Sequence, residues 1–367
     1  MALAGLIGGA LKGDARSLMA LETTGIDDAL LREAVGLVAG GSAGGAAIAV
    51  GQFAATIILR HARTSEGADL GALCTECLQL AATPGLPTNR QLLSAAAAAA
   101  TRAGPEAALQ VHAEAMRLAR LGQLAEGGAP AASPLTALQL VHALAEEAGR
   151  AVVTSSVREA LAGQGAEVFA LLNSVLRGSG GERGVSGGLE CLSSWAETLG
   201  VGMDAVLATE GLLLALCSLV ASEDESVVDS LADCLEALLT RPFAGTPPTN
   251  PTTAVVVCAA GGRLVPGGAG AVRPESQPWR SNGAALSELG AAVAAQRPRF
   301  GDDQPMLHRR GMCRIAVAVA EVLVWDTAAA AAQGQPLLEC LVGAASSRDR
   351  PTAAIAIEGL VPVRNFD

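Results

Sequence analysis

Apolar residues recur at helical spacing along most of the chain, in stretches that Gly, Pro or Ser residues separate. One short run, 252–260 (TTAVVVCAA), has the composition of a strand instead. The pattern therefore predicts an all-α fold. The predicted helices are 26–39, 45–62, 67–82, 88–103, 105–122, 134–149, 154–177 with a break near Gly163, 185–199, 203–221, 223–240, 283–296, 305–327, 335–346 and 350–360.

The predicted helix with the clearest start is 223–240. Ser222 and Glu225 have the spacing of a capping box, in which each side chain bonds a backbone N–H at the helix start. Behind them, the apolar positions form one stripe at helical spacing. We expect this stripe to face the core: Val227, Val228, Leu231, Cys234, Leu235, Leu238 and Leu239.

Links of only a few residues join many of the predicted helices, which makes consecutive helices antiparallel neighbours. Helix pairs recur about every 40 residues, the period of HEAT and armadillo repeats, so we expect an α-α superhelix, a HEAT/armadillo-like solenoid. Residues 1–242 would hold N-terminal HEAT-like repeats, and 282–367 further HEAT-like helices that are cut short. Between them, 243–281 is rich in Pro and Gly and is either a surface insertion or translated intron sequence.

The composition and the charge exclude some classes of function. Half of the residues are hydrophobic but only 2% are aromatic, which predicts a core of small and aliphatic side chains. The net charge of −11 repels phosphate backbones, so we expect no direct nucleic-acid binding. Residues 35–59 are long enough and apolar enough to cross a bilayer, but glycines at 40, 41, 44 and 45 predict two helices there and no membrane insertion.

No set of residues has the spacing of a catalytic, cofactor or metal site. Cys74 and Cys77 form a C-x-x-C, but no second pair or nearby His completes a zinc site. The four histidines are scattered, and the cysteines lie mostly in apolar stretches, where we expect buried thiols. We therefore predict that the chain is not an enzyme and holds no cofactor.

One acidic cluster is a candidate for binding a protein partner. It consists of Glu223, Asp224, Glu225 and Asp229, at the start of the predicted helix 223–240. Such a cluster is either a solvated helix start or a contact for a basic partner.

A series of strings resembles the importin-β superfamily of nuclear transport receptors, most of all its transportin-SR/importin-13 branch. The order and the spacing of the strings both agree with that branch. They are 52–60 (QFAATIILR), 168–172 (VFALL), 189–195 (LECLSSW), 213–216 (LLAL), 230–235 (SLADCL), 312–315 (MCRI) and 338–344 (LECLVGA). The positions carried over as family core positions are Phe53, Ala54, Ala55, Leu59, Cys191, Leu192, Trp195, Cys234 and Cys313.

This resemblance implies a karyopherin that binds basic protein cargo, the GTPase Ran in its GTP form and nucleoporins, and that moves between cytoplasm and nucleus. Residues 1–25 do not match the first helix pair of that family, whose N-terminal repeats bind Ran. Members of the family are also longer, so the chain is expected to correspond to the N-terminal portion of such a receptor. The alternative is an α-solenoid scaffold for protein interactions that is independent of Ran.

Overall fold

The computed structural model describes residues 3–11, 16–17, 28–39, 45–65, 69–81, 90–124, 134–179, 181–239, 283–323 and 327–363. Within these ranges the regular structure is helical and contains no strand, which confirms the prediction of an all-α fold. The segment 243–281, with its strand-like run and Cys258, lies outside the described residues.

Seventeen α-helices are described, which we number in chain order. The first seven are α1 (Leu3–Leu11), α2 (Asp28–Ala39), α3 (Gly45–Thr64), α4 (Leu70–Ala81), α5 (Arg90–Ala103), α6 (Pro105–Leu124) and α7 (Pro134–Ala148). The next six are α8 (Ser155–Ala162), α9 (Gly165–Ser174), α10 (Gly181–Leu199), α11 (Met203–Ala208), α12 (Leu212–Leu219) and α13 (Glu225–Leu239). The last four are α14 (Gly283–Ala294), α15 (Met306–Leu323), α16 (Thr327–Ala345) and α17 (Arg350–Val363).

Most predicted helices agree with the observed ones to within a few residues, but some predictions were wrong. The predicted helix 203–221 is two helices, α11 and α12, because Gly211 between them adopts a left-handed backbone with φ of +78°. Leu3–Leu11 is a helix that the sequence did not predict. After α9 the chain continues as a π-helical turn, Val175–Ser179, and α16 begins eight residues before its predicted start at 335.

The cap of α13 also differs from the prediction. Asp224, not Ser222, accepts a hydrogen bond from a backbone N–H of the first turn, with 2.8 Å between its Oδ1 and the nitrogen of Ser226. The Ser222 hydroxyl instead accepts a bond from the backbone N–H of Asp224, at 3.2 Å. The helix therefore begins at Glu225, and its N-cap is an aspartate.

The helices divide into two compact units, Met1–Leu161 and Ala162–Asp367. In the first unit, consecutive helices pack as three hairpins, α2 with α3, α4 with α5, and α6 with α7. The second helices of these hairpins also pack side by side, α3 on α5 and α5 on α7, and α1 packs against α2 and α3. This unit is therefore a stack of helical hairpins, as a solenoid requires.

The second unit repeats the arrangement with four hairpins. Here α9 and its π-helical turn pair with α10, α12 with α13, α14 with α15, and α16 with α17. One layer consists of α10, α13, α15 and α17, and the other of α9, α12, α14 and α16. Each hairpin covers the apolar face of the next one, which makes the unit solenoid-like.

Glycine lets the helices of the first of these layers approach closely. A Cβ atom on Gly311 in α15 would lie 2.8 Å from Cγ1 of Val228 in α13 and 3.4 Å from the carbonyl carbon of Val228. A Cβ on Gly359 in α17 would collide with the side chain of Val317 in α15. The backbones of α13, α15 and α17 therefore pack with no space for further side-chain atoms at these two positions.

None of the helices in the described part of the chain has the length and hydrophobicity to cross a membrane. The nearly uncharged stretch 35–59 is divided between α2 and α3, as its glycines predicted.

Candidate protein-binding face

The predicted acidic residues lie at the start and along the exposed side of α13. Glu223 is exposed, and Glu225 is the half-buried first residue of the helix. Asp224 is the N-cap, and the hydrogen bonds that it accepts from Ser226 lower the pKa of its carboxyl. Asp229 lies one turn further along, with 64% of its side chain exposed. The structure thus brings all four residues to one end of α13.

The row of carboxylates continues along the same helix beyond the predicted cluster. Asp233 and Glu236 follow Asp229 at spacings of four and three residues, so the three side chains share one face of α13. The side chain of Asp233 is 58% exposed and that of Glu236 is 40% exposed. The acidic surface is therefore longer than the predicted cluster of four residues.

Arg314, from the neighbouring helix α15, lies among these three carboxylates. Its Nε and Nη2 donate to the two carboxylate oxygens of Glu236, at 2.9 and 2.8 Å. Its Nη1 donates to Asp229 at 3.0 Å, and its Nη2 also contacts Asp233. The hydrogen bonds with Glu236, and further with Asp233, raise the pKa of Arg314 above its ordinary value. We call Arg314, Asp229, Asp233 and Glu236 the Arg314 cluster.

Of the four members of this cluster, only Asp229 was predicted from the sequence as a candidate site residue. A signal was present, because Arg314 is the one charged residue in the apolar stretch 311–320 (GMCRIAVAVA). A charged side chain in such a stretch requires a partner of opposite charge. The partner could not be named without the fold, since α13 and α15 are separated by the whole of α14 and the segment that precedes it.

The acidic row borders α10 and α15 in the same layer. The hydroxyls of Ser186 in α10 and Ser226 in α13 are 3.3 Å apart, and Glu190 is exposed on α10. On α15, Arg310 donates two hydrogen bonds of 2.9 Å to the carboxylate of Asp349, which precedes α17. The face formed by α10, α13 and α15 thus presents mainly carboxylates, together with hydroxyls and two paired arginines. Such a surface accepts hydrogen bonds from basic side chains.

The loop before α13 is fixed to α15 by its backbone. His308 donates from Nε2 to the carbonyl oxygen of Ser222 at 3.1 Å, and Arg299 donates to the same oxygen. Both His308 and Arg309, next to it, are buried. Arg309 contacts Asp302 and donates to the Ser347 hydroxyl at 3.1 Å. His308 is therefore a buried structural residue. Its bond to the carbonyl oxygen of Ser222 fixes the loop from which the acidic row begins.

A second buried polar network lies in the first unit. Glu147 of α7 is buried and accepts hydrogen bonds from Nε of Arg63 at 3.0 Å and from Nε of Arg150 at 2.6 Å. Arg102 of α5 donates to the backbone carbonyls of Arg63 and Ser65, at 2.9 and 2.6 Å. The three arginines lie at helix C-terminal ends, where cations are favourable. We assign this network to stability, because the buried carboxylate of Glu147 is bound by two arginines and Arg102 joins the ends of two helices.

The thiols of Cys74 and Cys77 are poor candidates for a nucleophile or a zinc ligand. Cys74 and Cys77 are both buried in α4, and burial raises the pKa of Cys74 to about 11 and that of Cys77 to about 12. The nucleophilic thiolate and the zinc ligand are both deprotonated forms, which burial disfavours here. In the part of the chain that the structure describes, no group of three or more His, Cys, Asp or Glu residues could hold a metal ion.

The family core positions are mostly buried. Phe53 is half-buried, and the other eight positions, including Trp195 and Cys313, are buried. Burial is what any helical core requires of apolar residues, so it does not distinguish this family from other helical repeats. Comparison with protein-family models and with curated proteins finds no match.

Proposed function

We propose that the chain is a nuclear transport receptor of the importin-β type, which binds basic protein cargo and Ran-GTP during protein import into the nucleus. The observation that carries the proposal is the row of exposed carboxylates on α13, in a layer of stacked hairpins. A stack of this kind offers a protein partner a long surface with many shallow contacts. The strings that resemble the family support the proposal from the sequence.

The charge of this surface favours basic cargo. A partner with Arg or Lys side chains gains hydrogen bonds to Asp229 and Asp233, and the net charge of −11 attracts it over a longer distance. The effect of charge is largest at low ionic strength, because salt screens exposed charges. No covalent step is required of the chain for binding and release.

Capture of Ran tests the receptor function. The purified chain is incubated with Ran loaded either with GDP or with a GTP analogue that is not hydrolysed, and bound Ran is measured. We expect capture of the GTP form only, and loss of a bound octa-lysine peptide when that form is added. Equal capture of both forms, or capture of neither, contradicts the receptor function.

The second candidate is a solenoid scaffold that binds basic proteins independently of Ran. It is favoured by residues 1–25, which do not match the helix pair that binds Ran in the importin-β superfamily. In this case the octa-lysine peptide binds equally well with and without Ran-GTP. The same experiment therefore separates the two candidates.

A further inference from the structure

Arg299 is a half-buried cation in the 3₁₀ turn Arg297–Phe300, which precedes α15. Its Nη1 donates to the carbonyl oxygen of Ser222 and is 3.4 Å from Nε2 of His308. Among the described residues it has no carboxylate partner. Three neighbouring arginines do have one: Arg297 pairs with Glu339, Arg309 with Asp302 and Arg310 with Asp349. A partly desolvated guanidinium is stabilised by an anion, so the unpaired charge of Arg299 points to a negative group beside Ser222.

The side chain of Ser222 is placed to carry such a group. Ser222 is half-buried and begins the segment 222–224, which has no regular structure and leads into α13. Its hydroxyl accepts a bond from the backbone N–H of Asp224, but Asp224 itself is the N-cap of the helix. A modified Ser222 therefore leaves the cap intact, and the positive end of the α13 dipole favours negative charge nearby.

The residues after Ser222 have the charge pattern of a kinase substrate. They are three consecutive carboxylates, 223–225 (EDE). Kinases select substrates partly by such patterns, and carboxylates that follow the acceptor match a kinase with a basic substrate groove. Ser226 also has a carboxylate three residues after it, Asp229, but it lies in the first turn of α13, where its backbone is held in a helix. Sequence and structure thus single out Ser222.

We propose that Ser222 is a phosphorylation site, modified by a protein kinase that selects acidic residues after the acceptor, and that Arg299 binds the phosphate. In the transfer, Oγ of Ser222 attacks the γ-phosphorus of ATP. The bond from this phosphorus to the β–γ bridging oxygen breaks, ADP leaves, and the hydroxyl proton passes to a base of the kinase. The modification does not depend on the proposed transport function.

The phosphate brings a charge of about −1.5 to −2 near neutral pH and three acceptor oxygens. Nε and Nη2 of Arg299, which donate to no group among the described residues, bond two of these oxygens. Repulsion from the carboxylates that follow Ser222 opposes the modification. Glu223 is exposed, however, so that solvent and salt screen its charge.

The first test asks whether Ser222 accepts phosphate. The full chain is incubated with ATP and the acidophilic enzyme casein kinase, and the modified residues are located by mass spectrometry. We expect phosphate on Ser222 but not on Ser226. Ser222→Ala should lose this phosphate, whereas the matched control Ser226→Ala should retain it. A chain that acquires no phosphate at Ser222 overturns the proposal.

The second test asks whether Arg299 binds the phosphate. The second ionisation of a phosphoserine has a pKa of about 6, and a paired guanidinium lowers it by favouring the dianion. In ³¹P NMR titrations of the phosphorylated chain, we expect this ionisation about half a pH unit lower in the wild type than in Arg299→Gln. Arg297→Gln is the matched control and should resemble the wild type, because Arg297 contacts Glu339.

Equal titration of the wild type and Arg299→Gln overturns the role of Arg299, even if Ser222 is phosphorylated. Should Arg299→Gln fail to fold, as judged by circular dichroism, a phosphorylated peptide of residues 218–228 takes its place, because it lacks Arg299. The phosphoserine of the intact chain should then titrate below that of the peptide. The same titration in both overturns the pairing.

Discussion

At the scale of single residues, the burial of a charged side chain decides how much its removal lowers the stability of the fold. Glu147 and Glu146 are neighbours in α7, but Glu147 is buried between Arg63 and Arg150, whereas 45% of the Glu146 side chain is exposed. Removing one partner from a buried ion pair leaves the remaining charges poorly solvated. Removing an exposed carboxylate does not have this cost.

We therefore expect Glu147→Ala to lower the free energy of unfolding by about 2 kcal/mol. Loss of a partner from a fully buried ion pair would cost more, but both arginines retain some contact with water. Glu146→Ala is the control and should change it by no more than about 0.5 kcal/mol. Urea denaturation followed by circular dichroism measures both. Similar effects of the two substitutions would contradict the structural role of the Glu147 network.

At the scale of elements, close packing of α13 on α15 depends on a residue without a side chain. Gly311 faces the backbone of Val228, while Gly343 in α16 has no atom within 4 Å of the position that a Cβ would occupy. Both glycines lie within helices, where alanine is intrinsically favoured by about 1 kcal/mol. The two positions thus differ in packing but not in helix propensity.

Gly311→Ala should destabilise the chain by about 1 kcal/mol, because the cost of forcing α13 and α15 apart exceeds the gain in helix propensity. Gly343→Ala should stabilise it by about 0.5 kcal/mol. Melting temperatures of the two variants, measured under identical conditions, provide the comparison. A stabilising Gly311→Ala would mean that the two helices do not approach as closely as described.

How much the sequence could predict also differs between elements. Periodicity located most helices, because an apolar stripe at helical spacing depends only on local order, as for 283–296 and α14. It could not predict the break at Gly211, where a left-handed glycine lies beside Arg177, a residue that is 34 positions earlier. Of the candidate protein-binding face, the sequence predicted the acidic start of α13. It missed Arg314 because that contact depends on which helices become neighbours.

At the scale of the whole molecule, carboxylates that accept hydrogen bonds only in the folded chain make stability sensitive to acid. Asp349 precedes α17, and hydrogen bonds from Arg310 and then from Thr352 hold the pKa of its carboxyl well below the ordinary value of 3.8. The pKa of Asp302 is also lowered, chiefly by a hydrogen bond from Ser347. Since folding lowers these pKa values, the stabilisation is complete above pH 3.8 and is lost as the pH falls through the folded pKa.

Asp349→Asn should therefore have a lower melting temperature than the wild type near neutral pH, and the difference should shrink as the pH is lowered to about 2. Asp303→Asn serves as a control, because this exposed carboxylate has only a 3.4 Å bond from the side chain of Gln304. Thermal melts followed by circular dichroism over this pH range measure the effect. A difference between Asp349→Asn and the wild type that is constant with pH would rule out a contribution from the titration of Asp349.

The pairing of α13 with α15 has a further consequence, which concerns the entropy of closing a loop. Only one described helix, α14, lies between α13 and α15, yet the contact of Gly311 with Val228 closes a loop of more than 80 residues. Loop-closure entropy grows only with the logarithm of length, so doubling the loop would cost about 0.6 kcal/mol. The length of the Pro- and Gly-rich segment 243–281 can therefore vary widely at little cost to stability.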